Sequence, residues 1–323
     1  MGNNSRVKTH CVVCALILSI GLAFFCNPAL AADEPTLKAE KVSASAWYVQ
    51  GASALGSSVN QNFISNAGFV VTPAGVVVID ALGSPALATR LVAQIRKITP
   101  LPITHVIVTH YHADHIYGLQ TFKALGARIL AHPAAKDYLN SDTARLRLES
   151  SRKDMAPWVN ADTHLVAPDE WIEGEKELSV GGVLFKIKPV GPAHTPEDLV
   201  VYLPQEKVLF AGDLVFRSRI PFVGQADSRH WITALDQLLT FDALTVVPGH
   251  GPYSTQARQD MQLTRDYLVY LRAAMVRAAR ELEPFEDAYA ATDWSRFEHL
   301  PLFKAANRMN AYNTYLLLEQ EGR

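Results

Sequence analysis

Thr109-His110-Tyr111-His112-Ala113-Asp114-His115 stands directly after the apolar run Ile103–Val108, which is typical of a buried strand. The stretch places three imidazoles and one carboxylate at the predicted C-terminal end of that strand. Imidazole and carboxylate are the ligands that borderline divalent cations prefer. The stretch therefore predicts a metal site, and a polar loop with incidental histidines is the weaker interpretation.

Further candidate ligands occur later in the chain, each after an apolar run that predicts a strand. They are His194 after Val183–Val190, Asp213 after Val208–Phe210, and His250 after Leu244–Val247. Taken singly, a His or Asp at such a place is more often a cap or turn residue. Taken together with the first stretch, they supply seven potential ligands on four strand ends and favour a site for two metals.

The ordered ligand set resembles that of the metallo-β-lactamase-fold hydrolases, over roughly Trp47 to Gly251. The matching residues are His110-x-His112-x-Asp114-His115, then His194, Asp213 and His250. Within that superfamily the set is most similar to the glyoxalase II and lactonase type, in which an Asp bridges both metals. The resemblance implies an α/β fold, a four-layer αββα sandwich, with a C-terminal helical extension.

The resemblance also implies a role for each ligand. It assigns His110, His112 and His194 to one metal, it assigns Asp114, His115 and His250 to the other, and it makes Asp213 the bridge. Nitrogen and oxygen ligands with neutral imidazoles suit two Zn²⁺ per chain, with iron or manganese as alternatives at the second site. A bridging hydroxide would then attack an ester, thioester or lactone-like carbonyl, and Asp114 would steer the water and accept its proton.

Other residues near these ligands are weaker candidates. Asp80 resembles the family's Asp that orients the metal loop, although a cap or turn residue is the alternative. Tyr111 and Tyr117 could donate hydrogen bonds to a developing oxyanion, or could simply pack in the core. Arg217 and Arg219 could clamp an anionic substrate from a rim loop, or could be ordinary surface charge.

The first 31 residues predict a cleavable signal peptide. Basic residues precede the apolar run Val12–Phe25, and Ala29-Leu30-Ala31 provides a small-residue cleavage site, so the mature chain should begin at Ala32. A retained membrane anchor is the alternative. The stretches 63–71 and 219–227 resemble exported members linked to sulfur oxidation or quinoprotein systems. We therefore expect a periplasmic or secreted protein without stable membrane association after cleavage.

Cysteine content and charge narrow the function further. Cys11, Cys14 and Cys26 all lie in the leader, so the mature chain would have no disulfide. Lactamases with a cysteine ligand are excluded, because Asp213 stands where the thiolate would be. The formal charge is −2, and removal of Arg6 and Lys8 with the leader makes it −4. Such an acidic chain without a basic block is a poor nucleic-acid binder, so the expected partner is a small-molecule substrate.

The apolar pattern divides the mature chain into a hydrolase domain at 45–254 and a C-terminal helical extension at 255–323. It predicts helices at 85–97, 114–125, 228–239 and 255–282, and strands in two β-rich halves. Two other functions stay open at this level. One is a β-lactamase, and the other is an accessory protein of low turnover in a periplasmic sulfur-oxidation or quinoprotein relay.

Overall fold

A computed structural model describes residues 1–2 and 35–322, and the chain from Pro35 onward forms one compact unit. The predicted signal peptide and its cleavage after Ala31 lie outside the described residues and stay predictions. Within the described part of the chain, no helix combines the length and apolar character needed to cross a bilayer.

The first half of the unit contains a seven-stranded sheet with strands in sequence order. The strands are β1 Ala39–Lys41, β2 Ala46–Val49, β3 Ala67–Thr72, β4 Gly75–Ile79, β5 Ile103–Ile107, β6 Arg128–Ala131 and β7 Glu170–Trp171. Neighbours from β1 to β4 are antiparallel, whereas β4 to β7 are parallel. The parallel strands direct their carboxyl ends to one edge of the sheet.

The second half contains a five-stranded sheet in the order β12-β11-β10-β9-β8. These strands are β8 Lys176–Val180, β9 Val183–Pro189, β10 Leu199–Leu203, β11 Val208–Phe216 and β12 Thr245–His250. The pair β11 and β12 is parallel, and the other neighbours are antiparallel. Parallel pairing brings the carboxyl ends of β11 and β12 together.

Helices cover the outer faces of both sheets. They are α1 Pro85–Ile98, α2 Ala113–Ile116, α3 Leu119–Ala124, α4 Ala135–Leu139, α5 Asp142–Asp154, α6 Ser228–Leu238, α7 Ala257–Glu281, α8 Phe285–Ala291 and α9 Phe303–Glu321. Ser84 caps α1, since its side chain accepts from the Leu87 amide at 3.2 Å, and a proline follows at the first helical position.

Three apolar cores separate these layers. The middle core lies between the two sheets and includes Val77, Ile107 and Phe210. A second core packs α1 and the loop helices against the first sheet. A third packs α6, α7, α8 and α9 against the second sheet, around Trp231 and Leu268. The order of layers is helix, sheet, sheet, helix, so the predicted αββα sandwich is confirmed.

The helix predicted over 114–125 is divided into α2 and α3 at Gly118. A side-chain carbon at Gly118 would lie 2.0 Å from the Ala81 carbonyl oxygen. The backbone at Gly118 therefore packs against the loop after β4 too closely for a residue with a side chain. The division lets α2 carry metal-site residues while α3 packs separately against α1. Apolar periodicity alone could not reveal this break.

Strand β11 is longer than the predicted Val208–Phe210 and contains Asp213. The pairing with β12 shifts in register on both sides of Gly212, whose φ is +52°. Such an irregularity bends a strand and redirects its side chains. Asp213 is therefore held inside a buried strand rather than on a loop.

The predicted C-terminal helical extension consists of α7, α8 and α9. Its longest helix, α7, buries Leu268, Leu271 and Met275 in the core that also holds Leu214 and Trp231 of the second half. The helices therefore share their core with the second sheet. This contact places the first turns of α7 beside the carboxyl end of β11, where Phe216 is bonded to Thr264.

Candidate metal centre

The seven predicted ligands converge at the carboxyl ends of the central strands. One group contains His110, His112, His194 and Asp213, and the other contains Asp114, His115 and His250; in each group the potential ligand atoms lie within 4.8 Å of one another. The first stretch follows β5 into α2, His194 follows β9, Asp213 lies in β11 and His250 ends β12. Strands of both sheets therefore build one cluster.

The Asp213 carboxylate joins the two groups. Its Oδ2 lies 3.3 Å from His194 Nε2, 3.7 Å from His110 Nε2 and 3.3 Å from His250 Nε2. Its Oδ1 lies 3.2 Å from His115 Nε2. Because a single carboxylate faces histidines of both groups, it has the placement that a bridging ligand requires.

Contacts within each group complete the cluster. His112 Nδ1 lies 3.0 Å from His194 Nε2 in the first group. In the second, Asp114 Oδ2 lies 3.4 Å from His250 Nε2 and 3.7 Å from His115 Nε2. Such short distances are expected between atoms that would bind the same cation.

Several of these atoms are buried with unused hydrogen-bonding capacity. His110 Nε2 has no hydrogen-bond partner among the described residues, and His115 Nε2 and Asp213 Oδ1 lie 3.2 Å apart without the alignment of a hydrogen bond. Burying a polar atom without a partner is unfavourable, and metal coordination is a usual compensation. The inward-facing nitrogens and oxygens therefore fit a divalent cation.

Burial and the nearby carboxylates act in opposite directions on the ligand histidines. Burial lowers the pKa of His110 well below its usual range, and it lowers the pKa of His112 to about 3. Burial also acts to lower the pKa of His194 and His115, but Asp213 outweighs it and raises the pKa of both. Burial opposes ionisation of Asp213, yet the adjacent His250 and His115 hold the pKa of that carboxyl well below its ordinary value. His110, His112 and Asp213 are therefore in the ligand forms that zinc binds, whereas zinc binding at His194 and His115 would compete with protons.

Asp80 lies behind the ligands and orients two of them. Its Oδ2 lies 2.9 Å from His115 Nδ1, and its carboxylate accepts from the amide and hydroxyl of Thr109 at 2.8 Å each. The Thr109 hydroxyl in turn lies 3.0 Å from His110 Nδ1. Asp80 itself has φ of +62°, a conformation that non-glycine residues rarely adopt. This is the contact that the predicted orienting role requires.

We expect Asp80→Asn to weaken zinc binding about 10- to 100-fold, as loss of a carboxylate behind a ligand histidine typically does. The amide cannot accept from both Thr109 and His115 as the carboxylate does. Competition with a zinc chelator measures the affinity, and Asp142→Asn, an exposed change in α5, is the control. Equal zinc affinity in Asp80→Asn and the unmodified protein would contradict this role.

Asn66 is a site residue for which the sequence analysis named no role. Its Nδ2 donates to the carbonyls of Pro248 at 2.8 Å and Gly251 at 2.7 Å, on both sides of His250. His250 Nδ1 also lies 2.7 Å from the Ile64 carbonyl oxygen. The segment before β3 therefore holds the end of β12 in place. A buried Asn before a strand was the available signal, but its partner is 182 residues away.

Two acidic residues after His194 also escaped the sequence analysis. Asp198 accepts from the Thr195 amide and hydroxyl at 2.8 and 2.9 Å, which closes the loop that carries His194. Burial raises the pKa of Asp198 to about 7. Glu197 accepts from the Tyr111 amide at 3.1 Å and so connects this loop to the first ligand stretch.

The tyrosines predicted near the site are buried core residues. Tyr111 donates its hydroxyl to the Val166 carbonyl at 3.2 Å, and Tyr117 is fully buried beneath the first sheet. This placement favours packing over the oxyanion role.

The two arginines after β11 differ in exposure. Arg217 is partly exposed and pairs with Asp260 of α7, at 3.1 Å between Nε and Oδ1. Arg219 is only 2% exposed, so the predicted position on an exposed rim loop is wrong for this residue. Its guanidinium packs against Phe216 and Phe222, and Nη1 lies 3.2 Å from His250 Nδ1.

Comparison with known families agrees with this geometry. A family model described as the metallo-beta-lactamase superfamily matches residues 61–250, which include all seven ligands. The chain therefore belongs to the metallo-beta-lactamase superfamily.

Characterised relatives include hydrolases of two kinds. A linear primary-alkylsulfatase of Pseudomonas sp. (strain ATCC 19151) is 24% identical over 64% of this chain and 46% of its own length. A metallo-beta-lactamase type 2 of Bacillus cereus is 29% identical over 58% of this chain and 67% of its own. The chain thus spans about half the length of the alkylsulfatase.

Solved structures that are similar to this chain belong to the same two kinds of protein. A metallo-beta-lactamase from Pontibacter korlensis has a TM-score of 0.57 at 25% identity, covering 72% of this chain and 99% of its own. The stereoselective inverting sec-alkylsulfatase Pisa1 from Pseudomonas sp. has a TM-score of 0.67 at 18% identity, covering 87% of this chain and 50% of its own, which shows a shared fold. The named relatives in this family are hydrolases, and the His/Asp cluster of this chain is consistent with a divalent metal.

Proposed function

We propose that this protein is an exported dinuclear zinc hydrolase of an ester, thioester or lactone-like small molecule. The observation that carries the dinuclear proposal is the position of Asp213. One carboxylate lies within 3.7 Å of His110 and His194 of the first group and of His115 and His250 of the second group. Export rests on the leader sequence alone.

Two bound zinc ions would supply a nucleophilic water at neutral pH and would polarise the scissile carbonyl. The chain's own residues then position and deprotonate that water. Asp114 has a side chain that is 16% exposed, compared with 5% for Asp213, so it is the more accessible carboxylate of the cluster. Burial acts against its ionisation, but His115 and His250 lower its pKa, so Asp114 is ionised and can accept a proton.

A sulfate ester is a second candidate substrate. The relatives named as alkylsulfatases support it, and so does the buried Arg219 guanidinium beside His250. β-Lactam hydrolysis is a third candidate, supported by the relatives named as metallo-beta-lactamases. An accessory protein with little turnover has no comparable support, although the complete ligand set is compatible with it.

Metal analysis and a substrate panel test these proposals. We expect purified, zinc-supplemented protein to hold about two zinc equivalents, because seven ligand atoms form two adjoining groups. The panel contains an aryl ester, a glutathione thioester, a lactone, octyl sulfate and nitrocefin, and we expect the fastest turnover on a carbonyl ester, thioester or lactone. At most one zinc equivalent would contradict the dinuclear centre.

The Asp114→Asn variant is the matched control for the panel. It removes the proposed proton acceptor but leaves a side chain of the same size. Turnover that needs zinc and falls in Asp114→Asn belongs to this centre. Preferred turnover of octyl sulfate or nitrocefin would replace the leading substrate class, and absence of zinc-dependent turnover on every substrate would favour the accessory role.

A further inference from the structure

A cavity of about 460 Å³ lies beside the metal centre, on the α7 side of β11. Its walls are the segment 216–221 after the end of β11, the first turns of α7 and the segment 296–300 that precedes α9. This volume is within the range of small-molecule pockets.

Cationic side chains predominate in the walls. Arg217, Arg219 and Arg296 line the cavity, whereas Asp260 is the acidic residue among its lining residues. The Arg217 guanidinium is bonded to Asp260 through Nε, and Arg296 pairs at 3.1 Å with Asp266, so Arg219 is the lining arginine without a carboxylate partner among the described residues. An anion would be attracted to such a wall.

Two lining residues hold buried polar atoms that lack partners. Arg219 is 2% exposed and Asp260 is 6% exposed, and neither Arg219 Nη2 nor Asp260 Oδ2 has a hydrogen-bond partner among the described residues. A buried guanidinium with an unused donor is costly unless a ligand satisfies it. The unused Arg219 donor requires an acceptor, which an anionic group supplies, whereas the unused Asp260 oxygen requires a donor.

The remaining lining is largely apolar. Phe297, Leu300, Pro221 and Tyr267 contribute to the walls, and Leu263 of α7 is 53% exposed. An exposed leucine on the wall of a cavity offers contact area for an apolar body. The cavity thus combines a cationic end with an apolar surface.

We propose that this cavity binds a small molecule in which a carboxylate or sulfate is joined to an apolar body. This inference concerns binding and goes beyond the reaction at the metals. Arg219 connects the two places, because it lines the cavity and its Nη1 lies 3.2 Å from His250 Nδ1. The same chemistry could belong to the remote part of a substrate or to a separate ligand.

Calorimetric titration of the zinc-loaded protein tests the proposal, with 4-phenylbutyrate as the probe and 4-phenylbutanamide as its neutral analogue. We expect the carboxylate to bind at least about tenfold more tightly than the amide, as a charge-assisted hydrogen bond predicts. Leu263→Trp should weaken the carboxylate at least about tenfold by filling the cavity. Val269→Trp, on an exposed position of α7 outside the cavity, is the matched control and should bind normally.

Binding of the probe in this cavity can be distinguished from binding at the metals and from turnover. A carboxylate bound at the metals would be insensitive to Leu263→Trp, so unchanged affinity in that variant would overturn the location. Equal affinity for carboxylate and amide would overturn the anionic class. Arg217→Gln should remove most of the preference for the carboxylate, whereas Arg265→Gln, which is paired with Asp236 elsewhere on α7, should keep it. Once turnover of a panel substrate is known, competitive inhibition by the probe assigns the cavity to the substrate, and non-competitive behaviour assigns it to a separate ligand.

Discussion

Asp213→Ala should reduce zinc content from about two equivalents to at most one, and should lower zinc-dependent hydrolysis at least about a thousandfold. The carboxylate lies within 3.7 Å of ligand nitrogens in both groups, so its removal affects both. Metal catalysis contributes several kcal/mol, and each 1.4 kcal/mol corresponds to about tenfold in rate. Metal analysis and the rate on the best panel substrate measure the effect.

Asp236→Ala is the control for this variant. Asp236 is half-exposed on α6 and pairs with Arg265, outside the metal cluster, so its loss should change neither zinc content nor rate. Circular dichroism should show native secondary structure in both variants, because the cores between the layers do not include Asp213. Wild-type turnover in Asp213→Ala would show that this residue is not a ligand.

Gly249→Ala should disrupt the metal centre although it adds a single methyl group. That carbon would lie 1.9 Å from Asp213 Oδ1 and 2.7 Å from the Gly212 carbonyl carbon. Either β12 or the carboxylate must move, and overpacking of this kind typically costs about 1–3 kcal/mol. We expect zinc content of at most one equivalent and a lower melting temperature.

Gly174→Ala is the matched control, since nothing lies within 4 Å of a carbon added at Gly174. It should leave zinc content unchanged and shift the melting temperature little. If Gly249→Ala retained two zinc equivalents at wild-type affinity, then the close contact between β12 and Asp213 would not be needed for the metal site. A folded Gly249→Ala protein without zinc would separate the site effect from a general loss of stability.

The sequence predicted a cluster of candidate ligands because each of them follows a run of apolar residues, and the structure brings these residues together. Carboxyl ends of neighbouring parallel strands meet at a sheet edge, so Asp213 and His250 of β11 and β12 lie near one another, and the packing of the two sheets adds His110 after β5. Periodicity likewise predicted α1, β5 and α7 to within a few residues. These features depend on the residues of one segment, so that segment's sequence is enough to predict them.

Sequence reasoning failed where a residue's environment comes from distant segments. Arg219 looked like a surface cation, but Phe216, Phe222 and the neighbouring α7 bury it. Asn66 had no assigned role, because its partners flank His250 at the far end of the chain. The single helix predicted over 114–125 is divided at Gly118 by contact with the Ala81 carbonyl.

The sequence by itself determined the fold class, the order of elements and the choice of candidate ligands, because hydrophobic periodicity and ligand chemistry are properties of the residues themselves. Only the tertiary structure decided which carboxylate faces both ligand groups, which polar atoms are left without partners, and where a cavity forms against α7. Those properties depend on packing between elements that are far apart in the chain. Burial and close contacts arise only when the layers pack together, whereas the chemistry of a candidate ligand is fixed by its residue type.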